Sequence, residues 1–383
     1  MGRMCIKLVF GEKTMVKMIK NEELYIKQSN LTDELFTEDC VFFDIETTGF
    51  SPASSSIYLI GCMYRIDQKL ILQQFFAPSK SDEKDVLLAF MELLENFKTI
   101  ISFNGIGFDI PFIKAKCTTY GIEEHFKDYP YIDIFKLVGN IKFLLKQPNY
   151  KQKTIESFLG IHRDDKFSGG ELINVYEDYL HTHSEEAEKF LLLHNFEDVR
   201  GMLDLMPILT YYQILQGAYT IKTAELAPYT SYEGTESREL IITLENDYAV
   251  PKRVSHQHQD FYFTMNKEAT KLRIPIFEGE LKYFYPDYKD YFYLPKEDLA
   301  IHKSVATFVD KQYRERAKAS NCYNRKTGYF LPQQDTIMNP VFKQDYKDKT
   351  TYFELTEDFI SSDVMLRRYV DHIFQKALNS KQS

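Results

Sequence analysis

The sequence predicts an α/β chain in two parts, a mixed β-sheet flanked by helices and then an α+β C-terminal domain. Three apolar, strand-like segments at 41–47, 57–64 and 70–76 are followed by a helix–strand–helix pattern over 82–120. This order is typical of a sheet with helices on its faces. The second part is predicted by short strand-like segments beyond residue 236 that are rich in Tyr, Phe and Ile.

Apolar spacing and end signals place the helices of the first part. Asp82–Phe97 carries an apolar stripe at three- and four-residue spacing, which predicts an amphipathic helix. Strand Thr99–Phe103 and helix Ile110–Tyr120 follow. A shorter helix is predicted over Thr154–Leu159, and Gly160 ends it.

A longer helix is predicted from Ser184 to about Leu215, with Glu residues at its positive end and a kink at Pro207. The turn-rich stretch 227–235 is predicted to be a linker. In the second part, helices are predicted around 304–320 and 363–378.

These patterns divide the chain into three stretches. Residues 1–37 form an N-terminal segment, residues 38–217 form the domain with the mixed sheet, and residues 236–383 form the α+β domain. A length of 383 residues is enough for two domains of ordinary size. The residues of the α+β domain indicate no function beyond gripping a substrate.

The segment Val41–Gly49 carries two carboxylates on one face of a strand. Asp44 and Glu46 are two residues apart in an apolar run, so both side chains point to the same side. Carboxylates this close repel each other unless a cation lies between them, and Mg²⁺ and Mn²⁺ are hard cations that prefer oxygen. A half-buried strand with an exposed acidic edge is the common alternative, but the apolar flanks favour a metal site.

Four further residues are candidates for the same site, but none of them indicates a function when it is considered alone. Asp109 lies at the start of a predicted helix, where capping alone would explain it. His194 and Asp198 are four residues apart and share a helix face, as many surface pairs do. Asp133 lies in another apolar run, where a structural role and support of a site are equally consistent.

Together these motifs resemble those of the DEDD-type 3′–5′ exonucleases, which have the ribonuclease H-like fold. The matching elements are Asp44-x-Glu46 on a strand, Asn104-x4-Asp109, and His194-x3-Asp198 late in a helix. The resemblance covers roughly residues 38–215. It is closest to the uncharacterised bacterial ribonuclease H-like domain proteins with a His-x-x-x-Asp third motif.

The resemblance implies a nuclease that uses a two-metal-ion mechanism. Its catalytic metal ligands would be Asp44, Glu46, Asp109 and Asp198, its general base His194, and its substrate contacts Thr47 and Asn104. In the superfamily a tyrosine base stands four residues before the last Asp and a histidine base five. This chain has histidine at the tyrosine spacing.

The chemistry of phosphodiester hydrolysis suits this set of residues. Two divalent ions about 3.5–4 Å apart can activate a water and stabilise the leaving oxygen. Four carboxylates balance their charge, and Mg²⁺ favours an open cluster in which it keeps several waters. A histidine of ordinary pKa, about 6.5, can accept a proton at neutral pH. The expected cofactors are therefore two Mg²⁺ or Mn²⁺ ions.

The charge distribution bears on a nucleic-acid partner. The net charge of −9 counts against one, because phosphates attract cations. However, the stretch from Ile134 to Ile155 has no acidic residue, and four of its lysines are predicted to bind substrate: Lys142, Lys146, Lys151 and Lys153. A second stretch, from Lys303 to Lys326, interleaves basic residues with Tyr and Phe, as stacking platforms for bases do. A solvated surface is the alternative for both stretches.

The expected partner is single-stranded nucleic acid or the 3′ end of DNA or RNA, and no protein partner is identifiable. No membrane partner is expected, since no run of 18 apolar residues occurs. The five scattered cysteines form no CxxC pair and the first residues form no long apolar leader, which favours the cytoplasm. The alternatives to a nuclease are a catalytically inactive nucleic-acid-binding module on the same fold, and a protein whose acidic residues are incidental.

Overall fold

The computed structural model describes residues 3–8, 16–164, 169–230, 234 and 236–380, with backbone alone for residues 3–8 and for Gly169. The contacts divide the chain into two compact units. The first comprises Met1–Gln213 with Tyr248–Lys252, and the second comprises Ile214–Asp247 with Arg253–Ser383.

The first unit is built on a mixed sheet of seven strands among the described residues. In chain order they are β1 (Arg3–Leu8), β2 (Lys17–Leu24), β3 (Cys40–Thr47), β4 (Ile57–Ile66), β5 (Lys69–Phe76), β6 (Thr99–Ser102) and β7 (Tyr131–Asp133). Their order in the sheet is β1-β2-β5-β4-β3-β6-β7. The β3–β6 and β6–β7 pairs are parallel and the others antiparallel. The predicted mixed sheet is confirmed, and residues 1–37 contribute β1 and β2 to it.

Helices of the first unit cover the sheet. They are α1 (Asn30–Leu35), α2 (Glu83–Leu94), α3 (Asp109–Tyr120), α4 (Ile134–Gly139), α5 (Lys142–Leu145), α6 (Gln152–Leu159), α7 (Gly169–Thr182) and α8 (Glu185–Leu205). A 3₁₀ turn at Met206–Leu209 holds Pro207 and leads into α9 (Thr210–Leu215), so the predicted interruption of the long helix is confirmed. Helix α7 was not predicted from the sequence.

The two faces of the sheet pack against different helices. On one face, Val41, Phe43 and Ile45 of β3 lie in a buried cluster with the apolar stripe of α2. On the other face, Tyr58 of β4 packs with Tyr176 of α7 in a second buried cluster. Because side chains alternate along a strand, the residues of β3 between the buried three point to this second face. Asp44 therefore points to the face where α8 lies.

The second unit is a set of antiparallel sheets with a C-terminal helix pair. Its strands are β8 (Tyr219–Thr230), β9 (Glu236–Asn246), β10 (Val254–Gln257), β11 (Tyr262–Met265), β12 (Ala269–Pro275), β13 (Phe277–Phe284), β14 (Tyr291–Leu294), β15 (Leu299–His302), β16 (Glu315–Arg316), β17 (Tyr323–Gln333) and β18 (Thr351–Glu354). Its helices are α10 (Lys303–Ala306), α11 (Glu357–Ser361) and α12 (Asp363–Asn379). The sheets have the orders β10-β11-β12-β9-β8, β13-β17-β18 and β15-β14-β16. The α+β class predicted for this part is confirmed.

The helix predicted around 304–320 is wrong. Helix α10 ends at Ala306, and Glu315–Arg316 is a short strand that pairs with β14. A longer helix needs an apolar face that packs against the protein. Here Val305 and Phe308 are 55% and 91% exposed, so this segment offers no such buried face.

The linker predicted over 227–235 is wrong for its first four residues. Ala227–Thr230 belongs to β8 and pairs with the start of β9. Pro228 is tolerated there because β8 is the edge strand, where a missing N–H breaks no ladder on the open side. Ser231–Glu233 and Thr235 lie outside the described residues.

Candidate active site

Strand β3 brings two carboxylates to the face that α8 covers. Glu46 is buried and Asp44 is partly buried. The pairing of β3 with β4 shifts register between Glu46 and Thr47, so the regular strand ends just after the second carboxylate. The Thr47 hydroxyl donates to the Gly49 carbonyl at 2.8 Å and stabilises the turn that follows.

Asp109 joins these carboxylates from the first residue of α3. Strand β6 pairs with β3 only up to Phe42, so the Ile45 N–H has no strand partner on that side. The Asp109 carboxylate accepts a hydrogen bond from this N–H at 3.2 Å. The N-cap of α3 is Phe108, which makes no side-chain cap hydrogen bond. Asp109 therefore points at β3, between Asp44 and Glu46, instead of capping its own helix.

Asp133 supports the turn that delivers Asp109. Its carboxylate accepts from the N–H groups of Asn104 at 3.0 Å and Ile106 at 3.1 Å. It also accepts from the Lys136 N–H at 3.1 Å, which caps α4. Asn104 has a φ of 67°, the left-handed conformation that asparagine tolerates. The carboxylate of Asp133 thus fixes a backbone turn of unusual conformation next to the site.

Helix α8 adds a histidine and a fourth carboxylate. His194 is 4% exposed, and its Nε2 lies 3.1 Å from Asp198 Oδ2 and 3.6 Å from Glu46 Oε1. The pair is therefore directed into the protein towards β3 and is not a surface contact. Among the described residues, ligand atoms of Glu46, His194 and Asp198 lie within 4.8 Å of one another, a spacing at which they could hold a metal ion.

The electrostatics indicate uncompensated negative charge around Asp44 and Asp109. Burial, together with the charges of Asp109, Asp198 and Glu46, raises the pKa of Asp44 well above its ordinary value. Burial raises the pKa of Asp109 to about 7, with a contribution from Asp133 and against the effect of the Ile45 hydrogen bond. Carboxyls in this state take up protons unless a cation replaces the missing positive charge.

Asp198 shows the opposite shift because it has cationic and donor neighbours. Burial alone would raise the pKa of Asp198, but hydrogen bonds from His194 and Arg163 and the charge of Arg163 hold it below its ordinary value. Arg163 forms ion pairs with Asp198 and with Glu156, and the side chains of Arg163 and Glu156 are buried. Arg163 was not predicted from the sequence, because a lone Arg in a polar loop carries no recognisable signal.

Helix α6 also reaches Asp198. Gln152 donates through Nε2 to the Asp198 carbonyl at 2.7 Å and to Glu156 at 3.0 Å. Gly201 allows this approach, since a Cβ there would lie 2.4 Å from Glu156 Oε1. Asp198 is thus positioned by Gln152 of α6, by Arg163 of the loop that follows α6, and by His194 of its own helix.

Asp44 is positioned by the side-chain amides of Asn195 and Gln74, which were not predicted from the sequence either. Asn195 donates through Nδ2 to Asp44 Oδ2 at 3.2 Å, and Gln74 donates to Asn195 Oδ1 at 3.0 Å. Asn195 and Gln74 are almost completely buried. A Cβ at Gly61 would lie 2.0 Å from Asn195 Oδ1, so β4 needs glycine at this point. Gln73 and Gln74 interrupt the apolar residues of β5, but nothing in the sequence relates either of them to Asp44.

The predicted lysines lie around α5 and α6. Lys151 and Lys153 flank Gln152 and are exposed, as is Lys146. Lys142 is partly buried, with its Nζ 4.9 Å from the centre of the Tyr150 ring. Since Gln152 bonds to the Asp198 backbone, this end of α6 lies next to the carboxylate cluster.

No helix in the described ranges is both long enough and apolar enough to cross a bilayer.

Comparison with solved structures finds distant likenesses. The family B DNA polymerase from the archaeon Pyrobaculum calidifontis is 13% identical with a TM-score of 0.36, over 46% of this chain and 26% of the polymerase. Escherichia coli exonuclease I in complex with a dT13 oligonucleotide is 12% identical with a TM-score of 0.29, over 54% of this chain and 55% of the exonuclease. The zinc-bound exonuclease I–ssDNA complex is 11% identical with a TM-score of 0.26, over 54% of each chain. At these values the likenesses are too distant to carry an argument about function.

This chain spans about a quarter of the polymerase and about half of exonuclease I. No curated protein matches the chain.

The family model described as the RNase_H superfamily matches residues 41–210. That span begins in β3 and includes every residue of the predicted carboxylate set together with His194. Residues 41–210 form an RNase H-like domain of mixed α/β structure.

Proposed function

We propose that this chain is a metal-dependent 3′–5′ exonuclease that hydrolyses phosphodiester bonds of nucleic acid with two Mg²⁺ or Mn²⁺ ions. The observation that carries the proposal is the convergence of five side chains from three elements. They are Asp44 and Glu46 of β3, Asp109 of α3, and His194 and Asp198 of α8. The matched RNase_H superfamily model supports a nuclease on this fold.

The donor set fits two divalent cations. Four carboxylates supply oxygen ligands, which Mg²⁺ and Mn²⁺ prefer over nitrogen or sulfur. The raised pKa values of Asp44 and Asp109 mark a place where positive charge would stabilise the ionised form. When bound, two such ions supply an activated water and stabilise the leaving oxygen.

In this proposal the protein's own residues orient the ligands and move the proton. His194, with its Nε2 directed at the carboxylate cluster, takes the proton from the attacking water. Asn195 and Arg163 hold Asp44 and Asp198 in place. Thr47 and Asn104 contact the terminal nucleotide, because the backbone turns that carry them lie next to the carboxylates.

Lys142, Lys146, Lys151 and Lys153 would attract the phosphates of the strand. Lys151 and Lys153 flank Gln152, which bonds to the Asp198 carbonyl, and Lys142 and Lys146 belong to the preceding helix α5 and its C-cap. A cytoplasmic location is part of the proposal. The four cysteines described, Cys40, Cys62, Cys117 and Cys322, are buried free thiols, which suits a reducing compartment.

The test is hydrolysis of 5′-labelled and 3′-labelled RNA and DNA oligonucleotides in Mg²⁺, Mn²⁺ or EDTA. Cleavage from the 3′ end shortens the 5′-labelled strand step by step and releases the 3′ label as a mononucleotide at once. Asp44→Asn and Asp198→Asn should each abolish this cleavage. Asp204→Asn is the matched control, because Asp204 lies on the same helix as Asp198 and pairs with Arg200 outside the cluster.

If Asp44→Asn and Asp198→Asn both cleaved at the parental rate, the proposed function would be wrong. Metal-independent retention of the oligonucleotide without any cleavage would instead support the alternative, an inactive binding module.

A further inference from the structure

A segment of the second unit exposes large apolar side chains to solvent. Between β15 and β17, Phe308 is 91% exposed, Val305 is 55% exposed and Tyr313 is 43% exposed. Apolar side chains stabilise a fold only when they leave water, so Phe308 in particular contributes little to the folded state. A group of exposed apolar residues of this kind marks an interaction site.

Cationic side chains are interleaved with these residues. From Lys303 to Lys318 the segment has five basic residues and two acidic residues. Lys303 pairs with Asp290 at 2.8 Å, but within the described part of the chain no salt bridge joins Lys311, Arg316 or Lys318 to an acidic residue. Positive charge therefore remains available for an anionic partner.

The segment is held against the β15-β14-β16 sheet, so these side chains have defined positions. Arg316 is paired opposite Phe292 of β14. The guanidinium carbons of Arg314 and Arg316 lie 4.9 Å and 4.7 Å from the centre of the Phe292 ring. Arg314 also donates to the Ala306 carbonyl, which ties the loop that carries Phe308 to the strand. Two guanidinium groups are thus held against one aromatic ring at the base of the exposed segment.

We infer that this surface, formed by Phe292, Val305, Phe308, Tyr313, Arg314 and Arg316, binds a single strand of nucleic acid. Unpaired bases offer flat faces that stack on aromatic rings and guanidinium planes, whereas a duplex keeps those faces inside. The phosphates of the same strand pair with Lys311, Arg316 and Lys318. Stacking on a π-face is insensitive to base identity, so binding shows little sequence preference.

The charge pattern favours nucleic acid over an anionic membrane. A membrane-binding element separates an apolar face from a basic face. Here the two kinds of residue are mixed, because Arg314 and Arg316 lie over the Phe292 ring and Lys296 Nζ lies 4.8 Å from the centre of the Tyr313 ring. Cations mixed with aromatic rings match a strand in which phosphates lie between successive bases. The inference rests on the proposed function only in that the bound strand would be the substrate.

The experiment measures binding of the full chain to fluorescein-labelled single-stranded oligonucleotides of dT and U, and to a duplex, in EDTA. Phe308→Ala should weaken single-strand binding by roughly 5- to 150-fold, the range for losing one stacked base. Val364→Ala is the matched control, since Val364 is 80% exposed on α12 of the same unit. It should leave the affinity unchanged.

Charge is tested by the triple substitution Lys311→Gln, Arg316→Gln and Lys318→Gln. Loss of three phosphate contacts should flatten the log–log salt dependence of single-strand binding by roughly 2. Lys267→Gln with Lys271→Gln removes exposed charge from another sheet of the same unit and should leave the slope unchanged. Melting curves establish that each variant is folded.

Three results would overturn the inference. These are equal affinity of Phe308→Ala and the parent for single strands, equal affinity for duplex and single strand, or Phe308-dependent binding to phosphatidylserine vesicles without oligonucleotide binding. Because EDTA removes divalent ions, these readouts are independent of hydrolysis. Failure of the carboxylate substitutions to stop cleavage would refute the proposed function and leave this binding result standing.

Discussion

At the scale of single residues, the site depends on buried polar side chains that use their hydrogen-bonding capacity on one another. Asn195 is the clearest case, because its Oδ1 accepts from Gln74 and its Nδ2 donates to Asp44. The two bonds fix the orientation of the amide and, through it, one oxygen of the Asp44 carboxylate. Such supporting residues typically change metal affinity or activity by about 10- to 100-fold when they are mutated.

Asn195→Ala should therefore weaken Mn²⁺ binding by about 10- to 100-fold and lower the rate at limiting metal. Saturating Mn²⁺ should restore part of the rate, which a general loss of packing would not do. Mn²⁺ titration of the hydrolysis rate measures both effects. Asn96→Ala, at the exposed end of α2, is the control. An unchanged Mn²⁺ dependence in Asn195→Ala would show that the amide does not position Asp44.

His194→Ala should lower the hydrolysis rate at neutral pH by roughly 10²–10⁴-fold, as expected for loss of a general base. The profile of rate against pH should change shape in the variant, because the group proposed to accept the proton is gone. His194→Tyr matches the spacing of the tyrosine branch and should retain part of the rate. Profiles of rate against pH for the three proteins measure this.

The geometry also allows a second role for His194, which the same variant separates from the first. Its Nε2 lies near Glu46 and Asp198 at metal-ligand spacing. Removal of a general base leaves the Mn²⁺ affinity largely unchanged, whereas removal of a metal ligand lowers it. A fall in Mn²⁺ affinity parallel to the fall in rate would assign His194 to the metal and not to the proton.

Asp109 should make the metal-free protein less stable as pH rises. Its pKa is about 7 in the folded chain and near 3.8 when unperturbed, so between these values the folded state binds more protons than the unfolded state. Stability then falls with increasing pH across about 4 to 7. Asp109→Asn should reduce this fall. Melting temperatures in EDTA from pH 5 to 8 test it, and parallel curves for the two proteins would contradict the assignment.

At the scale of elements, the sequence predicted what strong local patterns encode. Strands β3 to β6 and helices α2 and α3 follow from apolar alternation, helical stripes and turn residues. Each of these patterns involves residues that are close together in the sequence. Residues 304–320 were predicted to be helical because local composition allowed it, but pairing of Glu315–Arg316 with β14 decided the structure. Such pairing joins residues distant in sequence, and no local pattern reveals it.

The same limit applies to the residues that support the site. Asp44, Glu46, Asp109, His194 and Asp198 could be selected because their spacing forms motifs. Arg163 and Gln74 could not, since each reaches the cluster across a sheet or from a loop and has no fixed spacing to the residue it holds.

The lysines around α5 and α6 form the element that should guide the strand to the site. Replacement of Lys142, Lys146, Lys151 and Lys153 by Gln should weaken substrate binding with less effect on turnover. Each phosphate contact contributes about −0.7 to the log–log salt slope, so loss of two to four contacts should flatten it by roughly 1.5–3. Binding in Ca²⁺ at several salt concentrations measures this change.

The control for the lysine element replaces four exposed lysines elsewhere in the same unit, Lys27, Lys84, Lys98 and Lys127, by Gln. It removes the same charge from the molecule, so an equal change of slope in both variants would indicate a general charge effect. Lys142 should contribute least to the slope, because its ammonium group already lies over the Tyr150 ring.

At the scale of the whole molecule, an acidic chain is proposed to bind a polyanion. The net charge of −9 includes the carboxylates that are proposed to hold cations, and two bound divalent ions would offset four of these charges. Two stretches nevertheless have an excess of basic over acidic residues, 134–155 in the first unit and 303–318 in the second. The net charge of the chain is therefore opposite in sign to the local charge of the surfaces that are proposed to bind the strand.

The same balance of charge predicts how metal affects global stability. In the metal-free protein, Asp44→Asn should raise the melting temperature slightly, because it removes one of the mutually repelling carboxylates. With Mn²⁺ the order should reverse, since an ion that binds only the folded state stabilises the parent by an amount that grows with its concentration over Kd. Paired melting curves in EDTA and in Mn²⁺ give this comparison, with Asp204→Asn as control. A parent whose melting temperature did not respond to Mn²⁺ would show that the carboxylates hold no ion, and the raised pKa values would then reflect only burial and repulsion between the carboxylates.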